Sequence, residues 1–394
     1  MIEKFDKIVS ENLKVFKNIS TYLYENPELG GDEFKSSSCL RDVLSSEGFC
    51  VRVPYETLPT AFVAEYGKGD ITVAFLAEYD ALPGYGENGE PGHACGHNWI
   101  GATMCGCGIA LSKISNELNC KIKVIGTPAE ETFGAKVEMA ELGAFDDVDF
   151  VFQAHLDEAS SMEVVALALN SIEFTFEGKA AHAAAYPEKG INALDGVIAL
   201  FNGINAYREM TRDDARIHGI ITNGGVAANI IPELATCQIS FRAKDREYVR
   251  ELRERIIEIA QGAALISNTK LRFFDYENKF DNLVNVPLLV EFMADKFEAA
   301  GIKNLVPNEE YPGAGSTDIG NVSYLCPTLY VEVDLEGDEP FSIHDVRAYE
   351  MADSEAAHLK MEQVILAFGH GVIELIKDQE LINRIKAEHK EIVK

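Results

Sequence analysis

The chain has 394 residues, 47% of them hydrophobic and 25% charged, and carries a formal net charge of −29 at pH 7. That balance fits a globular protein with room for more than one core, and excludes the disordered, fibrous and disulfide-stapled classes. The acidic surplus argues against nucleic acid and anionic membrane surfaces as partners, because both would be repelled at long range.

No apolar run reaches the ~18 to 20 residues needed to cross a bilayer. The opening Met1-Ile2-Glu3-Lys4-Phe5-Asp6 lacks the basic start and apolar block of a secretory signal. The eight cysteines, at 39, 50, 95, 105, 107, 120, 237 and 326, are too sparse for a disulfide framework. These features predict a cytoplasmic protein whose thiols are mostly small buried hydrophobes.

Phe5, Ile8, Val9, Leu13, Phe16, Ile19 and Leu23 follow the three-and-four spacing of one buried helical face, and a second helix is expected over about 32–46. The period then changes. Residues 61–66 and 71–77 read as strands around the turn residues Gly67, Gly69 and Asp70, the second run apolar enough to be buried on both faces. A helix over 100–118, a strand over 121–125, a helix over 135–142 and a strand over 148–154 continue the alternation. That order predicts an α/β fold with a mostly parallel sheet flanked by helices.

From 171 the order becomes strand (172–176), helix (190–210), strands (216–222 and 234–243), helix (245–266) and strand (270–276). This βαββαβ series is the ferredoxin-like unit, long enough to stand as an inserted lid. A helix over 286–300, a strand over 328–333 and a closing helical region from 350 follow, with a charged, solvated tail past Lys377. The expected division is a catalytic domain made of residues 1–170 and 281–394, interrupted by a lid and dimerisation domain over 171–280. A single domain with a long excursion is the alternative.

The chemistry concentrates in Pro91-Gly92-His93-Ala94-Cys95-Gly96-His97-Asn98 and Thr127-Pro128-Ala129-Glu130-Glu131. Cys95 and His97 sit in a glycine-rich loop that opens a helix, Glu130 and Glu131 follow one strand, and His155 follows another. In an open α/β sheet, ligands bind in the crevice beyond the carboxyl ends of the strands. A lone histidine at a strand end is more often a satisfied polar group than a ligand. Beside Cys-Gly-His and Glu-Glu at equivalent strand ends, His155 becomes a candidate metal donor.

Thiolate, imidazole and carboxylate suit zinc or another divalent transition metal; an oxygen-rich calcium site has no use for Cys95. Adjacent carboxylates can divide the labour, one ligating while the other faces the metal-bound water as general base. A redox pair formed by Cys105 and Cys107 fares worse, because consecutive-but-one helical positions point about 200° apart.

Six motifs carry a family resemblance: Ala77-Glu78-Tyr79-Asp80-Ala81-Leu82-Pro83, His93-Ala94-Cys95-Gly96-His97, Pro128-Ala129-Glu130-Glu131, Gly178-Lys179-Ala180-Ala181-His182-Ala183, Asn229-Ile230-Ile231-Pro232 and Gly315-Ser316-Thr317-Asp318. In that order they resemble the zinc-peptidase-like amidohydrolases, which include carboxypeptidase G, aminoacylases, indole-acetyl-amino-acid hydrolases and aminobenzoyl-glutamate hydrolases. The resemblance implies that Cys95, His97, Glu131, His155 and His344 bind two divalent ions, Zn2+ or Mn2+, with Glu130 as the base. His344, in Phe341-Ser342-Ile343-His344, is implicated by the resemblance alone.

The resemblance further implies a homodimer formed through the lid, in which His182 reaches the partner's active site and stabilises the oxyanion. Asn229, Arg242 and Gly315 would hold the substrate, Arg242 by a forked contact to a carboxylate. Asp80 would fix the orientation of a metal-bound imidazole, or cap the turn before Ala81-Leu82-Pro83, or do both.

Three departures mark the branch. Glu78 stands where many relatives carry His or Asp, Asn98 replaces a common Asp, and residues 85–92 are extra. These variants are most similar to the aminobenzoyl-glutamate and aminoacyl-dipeptide hydrolases. The implied reaction is metal-dependent hydrolysis of a small-molecule amide, an N-acyl or N-aminoacyl amino acid, through activated water. A dipeptidase or carboxypeptidase acting on short peptides is the second reading, and a metal-bound binding protein without catalysis the third.

Overall fold

The computed structural model describes residues 1–55, 57–303, 305, 315–335 and 342–394. In chain order the first elements are α1 (Ile2–Glu25), α2 (Phe34–Ser46), β1 (Cys50–Arg52), β2 (Phe62–Gly67), β3 (Ile71–Ala77), α3 (His97–Ser112), α4 (Ser115–Leu118), β4 (Cys120–Gly126), α5 (Ala135–Glu141) and β5 (Phe150–Leu156). Then come β6 (Ala168–Glu177), β7 (Ala181–His182), α6 (Ala193–Tyr207), β8 (Arg216–Asn223), β9 (Ile230–Ile231), β10 (Leu234–Ala243), α7 (Arg246–Ser267) and β11 (Lys270–Asp275). The chain closes with α8 (Pro287–Ala299), α9 (Ile319–Ser323), β12 (Thr328–Val333), α10 (Val346–Met351), α11 (Glu355–Leu375) and α12 (Gln379–Ile392).

These elements group into two compact units, one of Met1–Val165, Leu283–Ala314 and Asp318–Lys394, the other of Ala166–Asn282 with Gly315–Thr317. The first holds a six-stranded sheet in the order β1-β2-β4-β3-β5-β12. Strands β4, β3, β5 and β12 run parallel, while β2 pairs antiparallel with β4 and β1 antiparallel with β2. The mostly parallel sheet matches the expectation; the antiparallel edge, including the short β1, adds to it. Every residue of β3 and β5 is buried, as strands covered by helices on both faces must be.

Helix α3 packs against that sheet and is buried at every position from His97 to Ser112. Its glycines make the close approach possible. A Cβ on Gly108 would lie 2.3 Å from Val124 Cγ2, one on Gly101 2.7 Å from the Glu78 carbonyl, and one on Gly106 2.7 Å from Ile365 Cδ1. Cys105 and Cys107 are packed inside this helix as small apolar groups. Beside α3, where α11 also packs, Phe75, Phe152 and Phe368 form a ring cluster with centroid separations of 5.4 to 6.2 Å.

The second unit carries a four-stranded sheet in the order β11-β6-β10-β8, with every pairing antiparallel. Helices α6 and α7 cover one face, burying Phe174, Phe176, Val197, Leu200, Phe241, Leu252 and Ile256 completely. Both helices start at side-chain caps: Asn192 accepts from Leu194 N at 3.1 Å, and Asp245 from Tyr248 N at 2.8 Å. The strand and helix order is βαββαβ, to which β7 and β9 add a separate two-stranded ribbon.

Two expectations need correction. The segment past Lys377 is no solvated tail: α12, capped by Asp378, buries Ile382 and Ile385 completely, and His389 bonds the Ser323 carbonyl. Its isoleucines sit at helical spacing beneath a dense charge pattern that hides them. His155 lies within β5 and not after it. Among the described residues, no helix is long and apolar enough to cross a membrane.

Candidate metal centre

The parallel strands deliver their chemistry at their carboxyl ends, where an open α/β sheet leaves a crevice. Glu78 and Asp80 follow β3, Glu130 and Glu131 follow β4, and His155 is the penultimate residue of β5. Cys95 and His97 flank Gly96, which caps α3 in the left-handed conformation (φ 75) with Leu156 packed against its α-carbon face. His97 thereby enters the first helical turn with its side chain fully buried.

Six side chains converge. Donor atoms of Cys95, His97 and His155 lie within 4.8 Å of one another, as do those of Cys95, Glu131 and His344, and those of His97, Glu130 and Glu131. The Cys95 sulfur is 3.4 Å from His155 Nε2, and His344 Nε2 is 3.0 Å from Glu131 Oε1. All five residues expected to ligate, and the expected base, thus meet in one place.

Neighbouring groups set which imidazole nitrogen is free. His97 Nδ1 donates to Asp80 Oδ1 at 2.8 Å, which turns Nε2 toward the other donors, where that atom is buried without a hydrogen-bond partner. His155 Nδ1 donates to the Leu156 carbonyl at 2.6 Å, which likewise turns Nε2 toward Cys95. Asp80 also accepts from the Glu131 amide at 2.9 Å, so one carboxylate orients a ring and a backbone turn together. No helix begins at Asp80, and a turn at Pro83-Gly84 follows it.

His344 is held differently. Its backbone is left-handed (φ 64); its amide donates to the Ala94 carbonyl at 2.9 Å, and its own carbonyl accepts from the Tyr85 hydroxyl at 2.5 Å. The extra residues 85–92 therefore fasten a donor loop. Ser342 and Ile343 precede it, and Phe341 of the same motif lies outside the described residues.

The electrostatics are those of a negative cage. Loss of solvation holds the Cys95 thiol and the Glu130 carboxyl well above their ordinary ranges, and the charge of Glu131 pushes both further. Burial alone would lower His97, but Asp80, Glu78 and Glu131 hold it well up. Burial would raise Glu131, yet the His344 hydrogen bond and the His97 charge bring it down to about 2.

A second buried network lies beside this cage. Lys136 Nζ is 2.6 Å from Glu78 Oε1 and 2.5 Å from Asp318 Oδ1, and its amide donates to Asp318 Oδ2 at 2.9 Å. Glu78 Oε2 is unpartnered and 3.7 Å from His97 Nε2. Nothing in the sequence flagged Lys136, which sits between the apolar Ala135, Val137 and Met139 on a short helix and reads there as solvent-facing. Asn98 has a structural account: its amide donates to Ser20 Oγ and the Ala352 carbonyl, each at 3.0 Å, which an aspartate could not do.

The remaining expected residues lie in the second unit. His182 is exposed on the β7–β9 ribbon, where its Nδ1 accepts from Ala184 N and Ala185 N, and the Ala183 amide bonds the Asn229 carbonyl at 3.0 Å. Arg242, on β10, reaches Ser316 Oγ at 3.3 Å while its Nε is buried without a partner. Gly315, next to Ser316, accepts from Leu167 N at 2.8 Å.

Comparison with known proteins gives one consistent family. Residues 74–369 match the pattern of peptidase family M20/M25/M40. The chain is 31% identical over 389 residues to the Xaa-Arg dipeptidase of Mus musculus, covering 94% of this chain and 88% of that one. It is 33% identical over 279 residues to one of the polypeptides of the Escherichia coli p-aminobenzoyl-glutamate hydrolase, covering 67% and 58%. In fold it is similar to a dinuclear metal-binding M20 peptidase of Bacillus subtilis, with a TM-score of 0.66 at 20% identity over 90% of this chain and 98% of that one.

Proposed function

The chain belongs to peptidase family M20/M25/M40 and is a hydrolase of amide bonds; from that premise we propose the substrate, the ions and the residues of its reaction. The substrate is an N-acyl or N-aminoacyl amino-acid-like molecule with a free carboxylate, in the manner of aminobenzoyl-glutamate. The observation that carries the site is the sharing of Cys95 between two donor groups, one with His97 and His155 and one with Glu131 and His344.

The donor set fits two divalent transition ions, Zn2+ or Mn2+. A thiol and several carboxyls confined together are tolerable only beside positive charge, and His97 Nε2, buried without a hydrogen-bond partner, would supply a lone pair once a cation displaces its proton. The Bacillus subtilis protein of similar fold binds two metals, which supports the number. Bound there, the ions supply Lewis acidity and bring the pKa of water toward neutrality.

The chain's own residues supply the rest. Glu130, whose carboxyl lies within 4.8 Å of the His97 and Glu131 donor atoms, takes the proton of the attacking water and returns it to the departing amine. Asp80 keeps His97 in one tautomer and Glu131 in one orientation. Arg242, with Gly315 beside its partner Ser316, receives the substrate carboxylate, and Asn229 holds the substrate from the β7–β9 ribbon. His182, exposed on the same ribbon, stabilises the oxyanion in a partner subunit. The unit around 171–280 acts as lid and dimer contact, and eight unpaired cysteines support a reducing, cytoplasmic setting.

The test is a parallel assay of metal-reconstituted protein on N-acyl amino acids, aminobenzoyl-glutamate and dipeptides, with sedimentation for the dimer. Turnover confined to dipeptides would favour the second reading, to which the Mus musculus similarity lends weight. Tight metal binding without turnover on any of them would leave a binding protein. An active monomer would remove the role given to His182.

A further inference from the structure

Five non-glycine residues have positive φ among the described residues: Asn88, Asn119, Ala129, Asn268 and His344. Asparagine adopts this conformation readily, so three are ordinary. The other two, Ala129 (φ 59) and His344 (φ 64), both adjoin the donor cluster. Such backbone persists only where the surroundings over-determine it. For His344 the restraints are Ala94 and Tyr85; for Ala129 they lead to a residue with no place yet in the chemistry.

The Ala129 amide donates to Glu33 Oε1 at 2.8 Å. The same oxygen accepts from the Gly31 amide at 2.9 Å, and Oε2 accepts from the Thr60 hydroxyl at 2.9 Å. Glu33 is completely buried, and all three of these donors are neutral. Burial, with the charge of Asp80, pushes its carboxyl up to about 7, the mark of a group kept in place at some expense. On its other side, the Ala129 carbonyl accepts from Gly134 N at 2.8 Å and Thr132 N at 3.3 Å, so both polar atoms of the residue are fixed.

The segment around Glu33 braces two turns together. The Glu28 carbonyl accepts from Ala81 N at 2.8 Å, next to Asp80. Gly30 lies against the turn after β4 so closely that a Cβ there would meet Thr132 Oγ1 at 2.5 Å and the Ala129 Cα at 3.1 Å. We propose that Glu33 is a positioning residue for the reaction: its carboxylate locks Ala129 left-handed, and that twist turns the consecutive Glu130 and Glu131 to their separate tasks. The inference rests on the reading of Glu130 as base and Glu131 as ligand.

Two substitutions separate reach from charge. Glu33→Gln keeps an acceptor oxygen at full length and should retain kcat within about threefold; Glu33→Asp keeps the charge but falls short of Ala129. Glu33→Asp should lower kcat by about 10- to 100-fold with KM little changed, the penalty of a misaimed group. It should also weaken Zn2+ or Mn2+ binding to chelated protein in calorimetry by about tenfold. Ala129→Gly in the Glu33→Asp background should restore both, since glycine takes positive φ without a clamp.

Wild-type kcat and metal affinity in folded Glu33→Asp would overturn the positioning role, as would equal losses in Glu33→Asp and Glu33→Gln. If Glu33→Asp does not fold, recovery of folding and turnover in the double variant supports the role; a double variant still unfolded or inactive overturns it. A wild-type protein that turns over no amide fails the underlying reading instead, and is seen before any variant is compared.

Discussion

His97 and His344 contribute to the same cluster and are held in opposite ways. His97 is fully buried, stands in the first turn of a buried helix and is tied by its own ring to Asp80. His344 has a side chain 46% exposed and is fastened through its backbone, by Ala94 and Tyr85. One half of the centre is therefore part of the core, and the other is attached to it. An ion held by Cys95, His97 and His155 should exchange slowly and one held by Glu131 and His344 quickly.

The largest expected effect tests the buried half. His97→Ala leaves the Asp80 carboxylate buried opposite a cavity, and should cost about 3–5 kcal/mol in urea unfolding. His344→Ala should cost under about 0.5 kcal/mol while still losing one metal equivalent. Equal destabilisation would erase the contrast. Next comes Glu130→Ala, which should keep metal content and melting temperature while kcat falls at least about a hundredfold; undiminished turnover would remove the base.

Smaller effects refine the comparison. Chelator-driven metal release should be biphasic, with rates separated by about tenfold or more, and His344→Ala should delete the faster phase. A single phase would make the two halves equivalent. Last, Tyr85→Phe removes one hydroxyl and should weaken only the looser equivalent, by severalfold to about tenfold in calorimetry. No change there would reduce residues 85–92 to a surface loop.

What the sequence made legible follows from the scarcity of the residue types. Cysteine, histidine and paired glutamates at strand ends stand out because few other roles use them there, and the strand-helix alternation fixed which ends they share. Glu33 and Lys136 were invisible for the opposite reason: single charged residues beside helices almost always face solvent. Their partners, Ala129 N and Asp318, lie 96 and 182 residues away. The α12 isoleucines were masked by the charges around them, and the left-handed Ala129 has no sequence signature, since alanine ordinarily avoids that conformation.

The buried helix α3 has a wider consequence. Because its glycines leave neighbouring backbone and side chains no room to give, adding a methyl at Gly108 would displace the whole rod and with it the imidazole at its tip. A side chain added at Gly101, Gly106 or Gly108 should therefore be felt at the donor cluster as well as in the core, because helix and imidazole shift as one rigid part.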